Sequence, residues 1–75
     1  METKLESIRK SFVPYVTQEE IARKAHIPLS TYRNAEKGKR ITYTTARLIL
    51  DAVNIIKKER NEKIIALEDL DFSIL

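Results

Sequence analysis

Pro14, Pro28 and Gly38 divide this chain, because they are its only prolines and its only glycine. Proline in a helix interior removes a backbone hydrogen bond and clashes with the preceding turn, and glycine is the next least favourable residue there. The stretches between these residues carry apolar side chains at helical spacing and few runs of β-branched residues. The sequence therefore predicts an all-α fold whose helices are interrupted near these three positions.

The length and the absence of cysteine limit how the chain is stabilised. A chain of 75 residues is short for a domain, so we predict a single domain over residues 1–75. Without cysteine there are no disulfides and no thiolate metal ligands, so stability must come from an efficient apolar core or a partner chain. No apolar run approaches the roughly 20 residues that a membrane span needs, and the early glutamates are unlike a secretory signal. We therefore predict a cytoplasmic protein with no membrane segment.

Two helices are predicted before Pro28. An apolar face at helical spacing predicts a first helix from Thr3 to Phe12, and residues 13–16 then form a connector. Thr17 begins the second helix with a capping box: its hydroxyl accepts from the amide three residues on, and the Glu20 carboxylate reaches back to the Thr17 amide.

Two further helices and a tail are predicted after Pro28. The third helix runs from about Leu29 to Lys37 and is closed by Gly38, which adopts positive φ angles without penalty. Thr42 caps a fourth helix, and residues 61–75 form a tail with a single helical turn at 67–70. The apolar residues of the fourth helix are Ala46, Leu48, Ile49, Leu50, Ala52, Val53, Ile55 and Ile56. They cover well over half of its circumference, so we expect this helix to be covered on two sides.

Basic residues are concentrated in the middle of the chain. Between residues 23 and 40, Glu36 is the only acidic residue among six basic ones, whereas the tail carries Glu68, Asp69 and Asp71. A local positive field of this kind attracts a polyanion such as DNA. The same charges could equally form a solubilising surface, so the arrangement of side chains on the third helix must decide.

The two faces of the third predicted helix differ in chemistry. At about 100° per residue, Thr31, Tyr32 and Ala35 fall on one side, and the opposite arc is mostly polar. That arc carries Leu29, Ser30, Arg33, Asn34 and Lys37. Arginine can form two parallel hydrogen bonds with guanine, asparagine can do the same with adenine, serine can bond either, and leucine can contact a thymine methyl. Lys37, Lys39 and Arg40 follow where the helix would leave a groove, so we predict that they bind phosphates.

Two segments of this region resemble a known family. Residues 17–25 read Thr-Gln-Glu-Glu-Ile-Ala-Arg-Lys-Ala, and residues 30–38 read Ser-Thr-Tyr-Arg-Asn-Ala-Glu-Lys-Gly. The pattern is similar to the helix-turn-helix of the Cro and phage-repressor class, also called the XRE family. The resemblance implies a compact five-helix, all-α DNA-binding domain, with the helix-turn-helix at about 17–37 and a short C-terminal packing or dimerisation tail at about 61–75.

The resemblance also implies roles for individual residues. Gln18, at the start of the second helix, would bind a phosphate with the help of the helix dipole. The residues that would read bases are Leu29, Ser30, Arg33 and Asn34. The family often pairs an arginine of its first helix with the glutamate that is Glu36 here, which points to Arg9. Because residues 13–14 look like an insertion, Ser11 is the alternative residue opposite Glu36.

These features predict a sequence-specific transcriptional regulator that binds double-stranded DNA, acts as a repressor and works as a homodimer on a two-fold site. The alternative is a helix-turn-helix that serves as a protein-interaction module, antitoxin-like or partner-binding, through the fourth helix and the tail. An enzyme is not expected, because there is no glycine-rich phosphate loop and no histidine at motif spacing from a nucleophile. His26 is the only histidine and there is no cysteine, so no metal site is expected. We expect no cofactor and no small-molecule substrate.

Overall fold

Residues 2–75 fold into four α-helices followed by a short 3₁₀ turn. The computed structural model describes residues 2–75, in which α1 spans Lys4–Ser11, α2 Gln18–Ala25, α3 Leu29–Glu36 and α4 Tyr43–Glu59. The 3₁₀ turn spans Leu67–Asp69, at the position where the sequence predicts a single helical turn. The all-α prediction is confirmed over these residues.

Local side-chain chemistry sets the ends of the helices. The Thr17 hydroxyl accepts from the Glu20 amide at 3.1 Å, and the Glu20 carboxylate accepts from the Thr17 amide at 3.3 Å, which confirms the capping box. The Thr42 hydroxyl caps α4 by accepting from the Thr45 amide at 3.1 Å. Gly38 follows α3 with a φ of 83°, a conformation that side chains with a Cβ rarely adopt.

The turn between α2 and α3 forms without glycine. His26 takes the left-handed conformation, with a φ of 58°, which histidine tolerates better than most residues. The amides of His26 and Ile27 both donate to carbonyls of α2, at 3.1 Å each. Pro28 precedes the first residue of α3, where a missing amide costs no intrahelical hydrogen bond. His26 and Pro28 therefore form a tight turn between the two helices.

The core is built around α2, which packs against both α3 and α4, while α1 packs against α3. The largest fully buried side chains include Leu5, Ile21, Tyr32, Ile49 and Val53. They come from all four helices, so one continuous core fixes the orientation of α3.

Asn54 attaches the tail to α4. Its side-chain amide donates to the Ile65 carbonyl and accepts from the Ile65 amide, both at 3.0 Å. Further along, Leu70 is only 2% exposed, and Phe72 packs against the core. The tail therefore folds back onto its own chain.

The end of the tail pairs with the connector between α3 and α4. Ile41 and Ile74 form an isolated parallel bridge. The Ile41 amide donates to the Ser73 carbonyl, and the Leu75 amide donates to the Ile41 carbonyl, both at 2.8 Å. The tail thus contacts the connector as well as α4.

Two expectations about this half of the chain are corrected. Within residues 2–75 the tail carries the 3₁₀ turn and no fifth α-helix. The tail is held by the buried side chain of Leu70 and by backbone hydrogen bonds, and neither contact requires a fifth helix with an apolar face. In addition, α4 is not covered on two sides as the sequence predicts. The tail leaves one side open, since Leu48 and Ile55 remain 37% and 47% exposed.

Candidate nucleic-acid interface

The outer face of α3 carries the side chains that the sequence predicts to read bases. Ser30, Arg33 and Asn34 are exposed, whereas Tyr32 on the opposite face is fully buried. Leu29 is half-buried and packs against the core, so only part of its side chain reaches solvent. One face of α3 is therefore buried in the core and holds the helix in place, while the opposite face is exposed to solvent.

Exposed cations follow this face. Lys37, Lys39 and Arg40 are all exposed. The Lys39 amide donates to the Asn34 carbonyl at 3.0 Å, so the connector turns back against the end of α3. The next residue, Ile41, is 6% exposed and anchors the connector in the core. The three cations therefore lie on a chain segment that is held at both ends.

Gln18 is the first residue of α2, where backbone amides lack intrahelical partners. Its side chain reaches α3: Nε2 donates to Oε1 of Glu36 at 2.9 Å, and Oε1 accepts from Nε of Arg33 at 3.4 Å. A concavity between α1, α2 and α3 is lined by these residues together with Glu6 and Lys37. The structure therefore brings Gln18, Arg33 and Lys37 to one groove.

Behind this groove, the Glu36 carboxylate accepts hydrogen bonds from three parts of the fold. Glu36 is 4% exposed. From α1, Arg9 donates to both carboxylate oxygens, with Nη2 at 3.2 Å from Oε1. From α3 itself, the Tyr32 hydroxyl donates at 2.6 Å, and Gln18 of α2 supplies the remaining contact. The carboxylate thus ties all three helices together.

Arg9 also binds the connector between α1 and α2. Its Nη1 donates to the Tyr15 hydroxyl at 2.7 Å and to the Val16 carbonyl at 3.2 Å. The pairing of Arg9 with Glu36 that the resemblance implies is confirmed. Ser11, the alternative, donates instead to a carbonyl of its own helix at 2.7 Å. The extra residues in the connector therefore leave the register of α1 unchanged.

This network favours the ionised form of Glu36. Burial raises the pKa of Glu36, but hydrogen bonds from Arg9, Tyr32 and Gln18 outweigh burial and hold that pKa below its ordinary value. The hydrogen bond to Glu36 in turn raises the pKa of Arg9. Burial, followed by the hydrogen bond to Glu36, raises the pKa of Tyr32. At neutral pH the cluster therefore holds one ion pair and a neutral phenol.

Sequence reasoning missed the contacts of this cluster other than the pairing of Arg9 with Glu36. The Thr3 hydroxyl accepts from the Glu6 amide at 3.2 Å and donates to the Glu36 carbonyl at 2.8 Å, so it caps α1 and also holds the end of α3. A threonine three residues before a glutamate is a capping signal that could have marked Thr3. The contact between Gln18 and Glu36 has no such local signal.

Within residues 2–75, no group of three or more histidine, cysteine or acidic side chains could hold a metal ion. In the same part of the chain, every helix is too short or too polar to span a bilayer.

The geometry agrees with a comparison against known families. The helix-turn-helix family of the Cro/C1 type matches residues 15–55, a segment that contains α2, the turn and α3 and ends within α4. No curated protein and no solved structure matches the chain. The match covers more than half of the sequence and includes the capping box, the tight turn and the exposed face of α3. The chain therefore belongs to the Cro/C1-type helix-turn-helix family of DNA-binding domains.

Proposed function

We propose that the protein is a sequence-specific transcriptional regulator that binds double-stranded DNA and acts as a repressor. One observation carries this proposal: a helix anchored by its buried face presents Ser30, Arg33 and Asn34 to solvent, directly before three exposed cations. In helix-turn-helix proteins, the helix after the turn lies in the major groove. We assign this role to α3.

The base contacts come from the outer face of α3. The proposed base-reading residues are Leu29, Ser30, Arg33 and Asn34. The guanidinium of Arg33 matches two acceptors of guanine, and the amide of Asn34 matches the donor and acceptor of adenine. Ser30 can bond either base, and the exposed part of Leu29 can contact a thymine methyl.

The phosphate contacts come from both ends of this unit. The proposed phosphate-binding residues are Gln18, Lys37, Lys39 and Arg40. Gln18 lies at the positive end of the α2 dipole, beside amides that lack intrahelical partners. The three cations are exposed, and contacts with phosphates do not distinguish one base from another. These residues therefore contribute to affinity and to the position of the protein along the DNA.

Among the modes of transcriptional regulation, repression requires the fewest contacts with other molecules. A protein that occupies a promoter excludes other proteins by its bulk, so no contact beyond the DNA contact is needed. The proposed DNA-binding face is sufficient for that mechanism.

We further propose that the protein binds a two-fold DNA site as a homodimer. One α3 offers few base-reading side chains, whereas two copies read half-sites about one helical turn apart. Exposed apolar residues on α4 and the tail support this proposal: Leu48, Ile55, Ile74 and Leu75. Light scattering of the free protein and stoichiometry on duplex DNA test it. A protein that stays monomeric at high concentration and binds at one chain per duplex would contradict it.

The same apolar residues favour one alternative. Leu48 and Ile55 leave a side of α4 uncovered, and a different protein could bind there. The chain would then be an interaction module, antitoxin-like or otherwise partner-binding, that uses α4 and the tail.

Selection of bound sequences from a random pool of duplex DNA separates the two functions. A regulator enriches one motif, and Arg33→Ala should relax that motif at one position. Lys58→Ala is the matched control, because Lys58 is also an exposed cation but lies near the end of α4 remote from the connector. It should leave the motif unchanged. A folded protein that enriches no motif would contradict the regulatory function and favour the interaction module.

A further inference from the structure

Gln18 connects the buried network to an exposed residue of the proposed base-reading face. The ionised Glu36 carboxylate can only accept hydrogen bonds. Its Oε1 lies 2.9 Å from the side chain of Gln18, so this contact requires the amide nitrogen of Gln18 rather than its oxygen. The chemistry of Glu36 therefore fixes which way the Gln18 amide faces.

With its nitrogen held by Glu36, Gln18 directs its oxygen toward Arg33. Oε1 of Gln18 lies 3.4 Å from Nε of Arg33, a long hydrogen bond at the surface. Among residues 2–75, Arg33 forms no ion pair. The contact therefore uses the Nε group and leaves the two terminal nitrogens of the guanidinium available.

An arginine can bind guanine through different pairs of its guanidinium nitrogens, and the two terminal nitrogens form one such pair. Bidentate recognition needs two parallel N–H groups in a fixed plane. An exposed arginine samples many rotamers, and ordering them on binding lowers affinity. A fixed acceptor at Nε restricts the guanidinium before the DNA arrives, so less ordering is left for the binding step.

We propose that Gln18 is a positioning residue that orients Arg33 for base recognition. This inference rests on the proposed function and adds to the phosphate contact proposed for Gln18. A residue that only binds phosphate affects all DNA sequences alike. A residue that orients Arg33 changes the preference at the base pair that Arg33 reads.

The test compares Gln18→Met with the wild-type protein on the selected DNA site and on sites with one base pair replaced. Methionine has a similar length but can neither donate to Glu36 as an amide does nor accept strongly from Arg33. We expect the preference at the base pair relaxed by Arg33→Ala to fall roughly 3- to 10-fold, the range expected for one hydrogen bond. In the double variant Gln18→Met/Arg33→Ala, the preference at that position should fall no further than in Arg33→Ala. Lys58→Ala, at an exposed position near the far end of α4, should leave the preference unchanged.

The outcomes separate this inference from the proposed function. Thermal melts first establish that each variant is folded, and Gln18→Ala serves as a second variant that must show the same position-specific loss. An equal loss of affinity on all sequences, with Arg33→Ala still relaxing one position, would overturn the positioning role and leave the proposed function standing. A wild-type protein without a preferred motif would instead overturn the proposed function.

Discussion

Arg9 and Glu36 form an ion pair that joins α1 to α3 and is buried on both sides, each residue being 4% exposed. Burying two charges costs desolvation free energy, which their attraction offsets only when the remaining lone pairs and protons are also satisfied. Here Tyr15, Tyr32 and Gln18 satisfy them. The ion pair is therefore part of a complete polar cluster beneath the proposed base-reading helix.

Replacement of Arg9 by methionine should strongly destabilise the fold. The substitution leaves Glu36 buried without its counter-charge, so we expect a loss of about 3–5 kcal/mol in the free energy of unfolding. Lys10→Met is the matched control: Lys10 pairs with Glu2 and Glu6 at the surface and should cost less than about 1 kcal/mol. Denaturant unfolding measures both. Similar losses in the two variants would contradict the structural role of the buried pair.

The lowered pKa of Glu36 predicts a loss of stability in acid. The folded pKa lies below the unfolded one, so the stabilisation is complete above the unfolded value and is lost as pH falls through the folded pKa. Unfolding free energies measured between neutral and acidic pH should therefore decline, and Glu36→Gln should show a shallower decline from a lower starting stability. Equal slopes in the two proteins would show that Glu36 is not responsible.

Alanine at Arg33 or Asn34 should relax the base preference at one position each. A bidentate contact accounts for about 1–3 kcal/mol of discrimination, and this amount should be lost at the affected base pair. Sequence selection with each variant measures the effect. If both variants retained the wild-type preference, α3 would not be the reading helix.

Alanine at Lys39 or Arg40 should weaken binding on every sequence by a similar factor. Each substitution removes about one phosphate contact, so the dependence of affinity on salt should become less steep. Titrations at several salt concentrations measure this slope. An unchanged slope in both variants would mean that these cations do not contact DNA.

Asn54→Ala should loosen the tail without unfolding the helices. The substitution removes both hydrogen bonds to Ile65, each contributing about 0.5–1.5 kcal/mol. Amide exchange at Ile65 should accelerate, while exchange in α2 stays slow. Asp51→Ala, at an exposed position one turn earlier on α4, is the control. Unchanged exchange at Ile65 would show that other contacts hold the tail.

Features that depend on neighbouring residues could be predicted from the sequence. The caps at Thr17 and Thr42 and the stop at Gly38 are local signals, and the structure contains all three. The burial of Tyr32 followed from the helical period. The pairing of Arg9 with Glu36 spans 27 positions and came from the family resemblance, because no local rule joins residues so far apart.

Features that depend on how the helices pack could not be predicted. Nothing near Gln18 in the sequence indicates that its amide meets Glu36, since that contact exists only once α2 lies against α3. The bridge between Ile41 and Ile74 is a single pair with no periodic pattern to reveal it. The apolar pattern of α4 predicts that it is covered on two sides, but Leu48 and Ile55 are exposed, because residues 61–75 leave that side open.

The attachment of the tail to Ile41 matters for how the protein can be handled. The Leu75 amide bonds to the Ile41 carbonyl, and Ile41 directly follows Arg40. A fluorescent label placed at position 75 therefore lies beside the segment that carries the cations, where it could screen or crowd a phosphate. A label at Thr3 has a similar disadvantage, since the Thr3 hydroxyl donates to the Glu36 carbonyl at the end of α3. A label at an exposed position of the segment between α4 and the 3₁₀ turn, such as Lys63, avoids both attachment points.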